Sequence, residues 1–162
     1  MANTYTQLYI QIVFAVKGRQ SLIRKVWKEE LYAYIGGILK QHGSKPLAIN
    51  GTSDHIHIFI GYGTSVSLSD LVEEIKTSSN KFIKIHFQYA NFNWQRGYGA
   101  FSYSKSHIDA VIKYINNQEE HHRKKTFREE YLKMLTDFGI ELKKNTYLIF
   151  LKIMKSTNSN IT

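Results

Sequence analysis

The chain of 162 residues contains no cysteine. This absence excludes disulfide bridges, thiolate-bound zinc sites and cysteine nucleophiles. A metal site in this protein must therefore be built from histidine nitrogens and from carboxylate or amide oxygens. Proline is almost as scarce, and the single proline, Pro46, stands at the start of a predicted short strand. A missing N–H donor is tolerated at that position of a strand.

Long hydrophobic runs are also missing. No run approaches the ~18 apolar residues that a membrane span needs, and the first residues lack an apolar signal region. We therefore expect a cytoplasmic protein without a membrane partner. No shift in composition marks a linker. We predict one domain over residues 1–140, followed by a partly disordered extension over residues 141–162.

Acidic residues are few for the number of basic ones. Thirteen Asp and Glu against 22 Lys and Arg give a formal net charge of +9 and a pI near 9.6. This excess indicates a polyanionic partner. Eleven tyrosines and nine phenylalanines accompany the charge, and proteins that bind single-stranded nucleic acid combine cations with aromatic rings. A basic protein with an ordinary aromatic core remains the alternative.

The hydrophobic pattern predicts the element order β-α-β-β-α-β, which is typical of an α+β, ferredoxin-like split βαβ antiparallel sheet. Both helices would cover one face of this sheet, and the first and third strands would lie at its centre. A tyrosine-bearing helix and a further helix follow this core. The predicted strands are 7–17, 45–50, 55–60 and a segment within 93–104, and the predicted helices are 25–41, 67–87, 106–121 and 126–139.

The third predicted strand contains two histidines within an apolar run, GTSDHIHIFIGYG. Because side chains alternate along a strand, His55 and His57 share one face while the isoleucines between them share the other. The isoleucines would pack under the helices, and the histidines would lie on the open face. A metal site and a hydrogen-bonded structural pair both fit this pattern. A histidine triad is excluded because Phe59 stands where the third histidine would be.

A second motif, YINNQ, lies on the predicted helix 106–121 and places Tyr114 and Gln118 four residues apart. That spacing puts both side chains on one flank of a helix. His107 and His121 fall on the same flank, where exposed histidines are the expected interpretation. A basic segment follows, formed by Arg123, Lys124 and Lys125. These side chains either contact DNA phosphates or form a solvated turn.

The HIH strand and the YINNQ helix together resemble the HUH (His-hydrophobic-His) nucleases. More closely, residues 5–135 resemble the small single-tyrosine transposases of bacterial insertion sequences, the IS200-like group. The resemblance implies that Tyr114 is the nucleophile. It also implies that His55, His57 and Gln118 bind a divalent metal ion, either Mg²⁺ or Mn²⁺.

The same resemblance implies a DNA transposase that cuts and rejoins single-stranded DNA at the hairpin ends of an insertion element, through a 5′-phosphotyrosine intermediate. It further implies a homodimer in which the tyrosine helix of one chain completes the metal site of the other. A replication-initiator or relaxase nickase, or a domesticated enzyme acting on genomic repeats, would use the same chemistry. A ferredoxin-like nucleic-acid-binding module without catalysis is the alternative of another class. Such a module needs base-stacking aromatics where this strand carries imidazoles.

Overall fold

A computed structural model of the chain describes residues 3–141. Contacts group the chain into two compact units, Met1–Lys124 and Lys125–Thr162, and each is described by itself. The strands of the first unit are β1 (Tyr9–Ala15), β2 (Lys45–Gly51), β3 (His55–Gly61) and β4 (Gly99–Tyr103). The helices of the first unit are α1 (Lys28–Gln41), α2 (Leu68–His86), α3 (Ile108–Asn116) and α4 (Gln118–His122). No helix within residues 3–141 is long and apolar enough to cross a membrane.

The four strands form one antiparallel sheet in the order β2-β3-β1-β4. The predicted ferredoxin-like arrangement is confirmed, including the central position of the first and third strands. The register of β1 against β3 pairs Val13 with His57 and Ala15 with His55. The histidine strand therefore has a neighbour on both sides, which fixes the direction of its side chains.

The main core lies between one face of the sheet and helices α1 and α2. Ile56, Ile58 and Ile60 of β3 are each 0% exposed and belong to this core. The alternation of β1 sends Ile12 and Phe14 to the same side. Ser67 caps α2, because its side chain accepts a hydrogen bond from the Asp70 N–H at 3.1 Å. The predicted isoleucine face is thus buried as expected.

The opposite face of the sheet is covered by α3 of the same chain. Val111 and Ile115 on α3 form a small apolar cluster with Ala48 of β2 and Phe59 of β3. The amide of Asn50 fastens the end of α3 to β2 by donating to the Ile115 carbonyl oxygen at 2.9 Å. The apolar stripe predicted for the tyrosine helix is therefore buried against the side of the sheet that carries the histidines.

The prediction of a single helix over residues 106–121 is wrong in one respect. It is divided into α3 and α4 at Asn117, whose φ of −96° and ψ of 19° leave the helical region. The side chain of Asn50 supplies donors to the carbonyl oxygens of Ile115 and Asn116, at 2.9 and 3.2 Å. These carbonyls therefore need no N–H from the next helical turn, and the chain can change direction there.

The described part of the second unit contains α5 (Phe127–Asp137). Thr126 and Glu129 form a capping box at its start, and the predicted helix over 126–139 is confirmed to within two residues at its end. One domain over residues 1–140 stays a proposal. The predicted extension, with its apolar stretch at 147–154, lies outside the described residues from position 142 onward.

Candidate active site

The two histidines of β3 are fully buried beneath α3 and α4. His55 and His57 are each 0% exposed, and their ring centroids are 5.2 Å apart at an interplanar angle of 77°. Burying an imidazole is costly unless its nitrogens have partners. The partners of each ring therefore indicate what the pair can do.

His55 is oriented by the turn that precedes it. Asp54 Oδ1 lies 2.7 Å from His55 Nδ1, and Thr52 Oγ1 lies 2.9 Å from both of these atoms. A carboxylate can only accept, so the proton of a neutral His55 resides on Nδ1. This tautomer leaves the lone pair on Nε2, which is how a carboxylate prepares a histidine to bind a metal ion.

The charge of Asp54 is maintained by the same contacts. Burial alone would raise the pKa of this carboxyl, but the hydrogen bond with His55, the Thr52 hydroxyl and the charge of Arg19 outweigh burial. The net result is a pKa below the usual value for aspartate. Asp54 is therefore ionised at neutral pH and remains an acceptor for His55.

Gly51 permits the tight turn that brings Asp54 beside His55. A Cβ at this position would lie 2.1 Å from the carbonyl oxygen of His55, closer than any side chain can approach. The Thr52 N–H donates to that same carbonyl at 3.2 Å. The backbone of β2 and β3 thus approaches too closely here for any residue but glycine.

His57 is oriented by a buried glutamine from the neighbouring strand. Gln11 Nε2 lies 2.8 Å from His57 Nδ1, and Gln11 Oε1 accepts a hydrogen bond from the Tyr103 hydroxyl at 2.9 Å. Either orientation of the amide satisfies both contacts. When Gln11 accepts from Nδ1–H and donates to Tyr103, His57 presents its Nε2 lone pair, the form that binds a metal ion.

Gln118, the first residue of α4, brings an amide oxygen to the histidines. It is 0% exposed, and its Oε1 lies 3.2 Å from His55 Nε2. With the His55 proton on Nδ1, these two atoms are both acceptors, and a cation bound by both would satisfy them. The Gln118 amide nitrogen is buried and has no hydrogen-bond partner within residues 3–141. Two imidazole nitrogens and an amide oxygen are donors that Mn²⁺ and Mg²⁺ accept, so the residues present fit a divalent metal.

Tyr114 lies against the same group of side chains. Its ring centroid is 6.0 Å from that of His57, with the rings nearly perpendicular at 86°. His121 of α4 also packs against the tyrosine, with a centroid distance of 5.0 Å. The structure therefore brings together all four residues that the resemblance singles out, namely His55, His57, Tyr114 and Gln118.

The other residues that the sequence suggested for the site differ in their exposure. His107 is exposed, as expected, and contacts Ser104 at 2.7 Å. His121 is only partly exposed, so the expectation of an exposed side chain is wrong, because the break at Asn117 turns α4 toward Tyr114. Arg123 is exposed and pairs with Glu120 at 3.1 Å. Lys124 and Lys125 are exposed as well, and contact of these three residues with DNA stays a prediction.

Sequence patterns did not identify the residues that support His57. Gln11 contacts His57 because β1 pairs with β3, and Tyr103 contacts Gln11 because β1 pairs with β4. The available signal was the polar Gln11 within an apolar strand, on the same side as the histidines. His122 was also missed, because it stood in a basic segment that suggested a solvated turn.

We expect Asp54→Asn to weaken the binding of Mn²⁺ by about 10–100-fold, the usual cost of losing a carboxylate that orients a metal-binding histidine. The amide of the new asparagine can donate to His55 Nδ1. It would then favour the tautomer with the proton on Nε2, which cannot bind a metal ion through that nitrogen. Calorimetric titration of the purified protein with Mn²⁺ measures the change. Asp70→Asn, on the exposed start of α2, is the control for the lost negative charge. Equal affinity in the wild type and Asp54→Asn would show that this carboxylate does not support a metal site.

Comparison with known proteins gives a family match. A family model described as an IS200-like transposase matches residues 4–118. Among solved structures, a protein of Deinococcus radiodurans described as a "putative transposase" has a TM-score of 0.58 and 19% identity, covering 73% of this chain and 95% of its own. A REP-associated tyrosine transposase bound to a REP hairpin has a TM-score of 0.56 and 14% identity, covering 75% and 73%. No curated protein matches significantly.

Proposed function

Because the chain belongs to the IS200-like transposase family, we propose that it cleaves and rejoins single-stranded DNA at the ends of an insertion element, with Tyr114 as the nucleophile. One observation carries the proposal. The Tyr114 ring packs against His57 while Gln118 Oε1 faces His55 Nε2 at 3.2 Å. A nucleophile and a metal-binding group that converge on one point are what transfer of a phosphodiester requires.

The covalent step follows from the chemistry of the phenol. Tyr114 Oη attacks the scissile phosphorus and the P–O3′ bond breaks. The phenolic proton leaves to solvent or to a nearby base, and the departing O3′ takes up a proton from solvent or from the same group. The products are a free 3′-hydroxyl and a 5′-phosphotyrosine on the protein. The number of phosphoester bonds is unchanged, so another 3′-hydroxyl can attack the phosphotyrosine and rejoin strands without ATP. In that reverse step the phenol regains its proton.

His55, His57 and Gln118 would hold the divalent ion, Mg²⁺ or Mn²⁺. A bound ion polarises the phosphoryl oxygens and stabilises the charge that develops during the transfer. The contribution of the chain is to hold the ligands rigidly. Asp54 and Thr52 orient one imidazole, and a buried glutamine orients the other, so little reorganisation is needed when a substrate binds.

A DNA strand is the proposed partner because of charge and family. The net charge of +9 favours a polyanion. The REP-associated transposase with a similar fold was solved with a REP hairpin, and we propose that this chain also binds the hairpin ends of its element. The exposed Arg123, Lys124 and Lys125 are the proposed phosphate contacts.

The alternatives differ in their support. A replication-initiator nickase or a domesticated enzyme of the same chemistry would use the same four residues, but the family match favours the transposase. A ferredoxin-like binding module without catalysis would keep its sheet open for bases. Here α3 covers that face, and the apolar contacts of Val111 and Ile115 argue against base stacking there.

The test of the proposed function is formation of a covalent adduct. The full chain is incubated with Mn²⁺ and single-stranded oligonucleotides that carry a randomised segment beside an imperfect hairpin, and the products are separated on a denaturing gel. We expect a band of protein joined to DNA that disappears when a chelator is added. Cleavage without any such band, or adduct formation that persists with the chelator, would contradict the proposal.

A homodimer with shared sites is part of the proposal. In one chain, α3 lies across its own sheet and Tyr114 contacts His57 of the same chain. Exchange of α3 between two identical chains would create the same contacts across a two-fold axis, and such exchange is a low-cost route to a dimer. The catalytic geometry is thus the same whether the tyrosine acts within one chain or in its partner.

Mixing two inactive variants distinguishes these arrangements. We expect a mixture of His57→Ala and Tyr114→Phe proteins, after subunit exchange, to regain cleavage. In a mixed dimer with shared sites, one site lacks both groups while the other is intact. Each variant alone, mixed with itself, is the matched control. A mixture as inactive as its parents would mean that every chain uses its own Tyr114, and the proposed exchange would be rejected.

A further inference from the structure

Helix α4 carries a second side chain that can bind a metal ion, His122, one turn after Gln118 and facing the histidine strand. The ring of His122 lies beside that of His55, with centroids 4.5 Å apart and an interplanar angle of 60°. Residues four apart on a helix lie on the same side. Gln118 and His122 therefore both face His55, and the break at Asn117 produces this direction of α4.

The distance suits two ligands of one ion. The imidazole nitrogens of His55 and His122 lie within 4.8 Å of each other. Two imidazole nitrogens that bind one ion at about 2.0–2.1 Å each would lie no more than roughly 4.2 Å apart, which is close to the observed limit. His122 is partly exposed at the end of the short helix α4.

We propose that His122 is a fourth protein ligand of the metal ion, beside His55, His57 and Gln118. This inference rests on the metal site of the proposed function and extends it to the identity of the ion. Three imidazole nitrogens and one amide oxygen form a nitrogen-rich site. Mg²⁺ prefers oxygen ligands and retains several waters, whereas imidazole suits transition metals. The protein would therefore bind transition metals such as Mn²⁺ and Co²⁺ in preference to Mg²⁺.

A packing role for His122 is the competing explanation of the same contact. An aromatic ring beside His55 could exclude water without donating to a metal ion. Two substitutions distinguish the roles. His122→Ala removes both the ring and the nitrogen, while His122→Phe keeps a ring of similar size against His55 and removes only the nitrogen.

The experiment measures binding of the metal alone, independently of cleavage. The full chain and its variants are titrated with Co²⁺ and, separately, with Mg²⁺, using calorimetry and the visible absorption of bound Co²⁺. We expect both His122 variants to weaken Co²⁺ binding by at least about 10–100-fold, the cost of losing a residue that merely orients a ligand. Their Co²⁺ absorption spectrum should change, because a nitrogen donor is replaced by water. The affinity for Mg²⁺ should change much less, because Mg²⁺ prefers oxygen ligands.

His86→Ala is the matched control, since His86 is exposed on α2 and pairs with Glu30. It removes one imidazole from the surface and should leave the affinity for Co²⁺ unchanged. Wild-type Co²⁺ affinity and spectrum in His122→Phe would overturn the inference and assign His122 to packing. Unchanged Co²⁺ binding in His57→Ala would instead contradict the metal site of the proposed function, so the two failures are distinguishable.

Discussion

Tyr114→Phe is expected to form no covalent adduct with single-stranded DNA under conditions in which the wild type does. The substitution removes only the phenolic oxygen and retains the ring that packs against His57 and His121, at 6.0 and 5.0 Å. Loss of a nucleophile can cost on the order of 10⁶-fold in another covalent enzyme. A loss of that size would leave no visible adduct.

The fold and the metal site should be retained in the same variant. We expect thermal unfolding to show that Tyr114→Phe is folded at the temperature of the assay, and calorimetry to show that it still binds Mn²⁺. Tyr9→Phe is the matched control, because Tyr9 is a partly buried tyrosine. Like Tyr114, it packs against the apolar cluster that contains Phe59 and Ile115. It should retain adduct formation. An adduct of wild-type yield in Tyr114→Phe would reject Tyr114 as the nucleophile.

His57→Ala is expected to abolish both metal binding and metal-dependent cleavage. A bound metal ion contributes several kcal/mol to stabilising the transition state. Since about 1.4 kcal/mol corresponds to a tenfold change in rate, the expected loss is on the order of 10³-fold. Gel assays of cleavage and calorimetric titration with Mn²⁺ measure the two effects separately.

The substitution also leaves Gln11 without its contact to His57, which would lower the free energy of unfolding by about 1–3 kcal/mol. Thermal unfolding checks that the variant is folded at the temperature of the assay. His57→Gln is the second variant, because it retains a polar side chain for Gln11 but is a poorer metal ligand. The account would be contradicted if His57→Ala, shown to be folded, bound Mn²⁺ and cleaved DNA like the wild type.

The sheet could be predicted from the sequence because its signals are local. Alternation in residues 7–17 and 55–60 separates an apolar face from a polar one, and the order of strands and helices determines the ferredoxin-like topology. The same alternation predicted that His55 and His57 share a face. It could not show what covers that face, because the apolar stripe of α3 fits equally well on its own sheet or on that of a partner.

The break between α3 and α4 could not be predicted, because its cause is distant in the sequence. Asn50, on β2, donates to the carbonyl oxygens of Ile115 and Asn116 and replaces their helical partners. A periodicity that continues across Asn117 gives no sign of this contact. The consequence is important for the site, since the new direction of α4 brings His121 to Tyr114 and His122 to His55.

The residues that support His57 were missed for a related reason. Gln11 and Tyr103 are far apart in the sequence, and because β1 lies between β3 and β4, Gln11 can contact His57 on one side and Tyr103 on the other. The resemblance names the residues that act directly, and it says nothing about those that orient them. By contrast, the Asp54 contact with His55 is local, and a carboxylate directly before the histidine was visible in the sequence.

The central claim, that Tyr114 attacks the DNA strand, is tested most directly by locating the adduct within the chain. After reaction, the DNA is digested to a short remnant, and the protein is cleaved with trypsin and analysed by mass spectrometry. Cleavage after Lys113 and Arg123 releases residues 114–123, in which Tyr114 is the only tyrosine. The account predicts that this peptide carries the nucleotide through a 5′-phosphate. A nucleotide on any other peptide of the chain, with residues 114–123 unmodified, would contradict it.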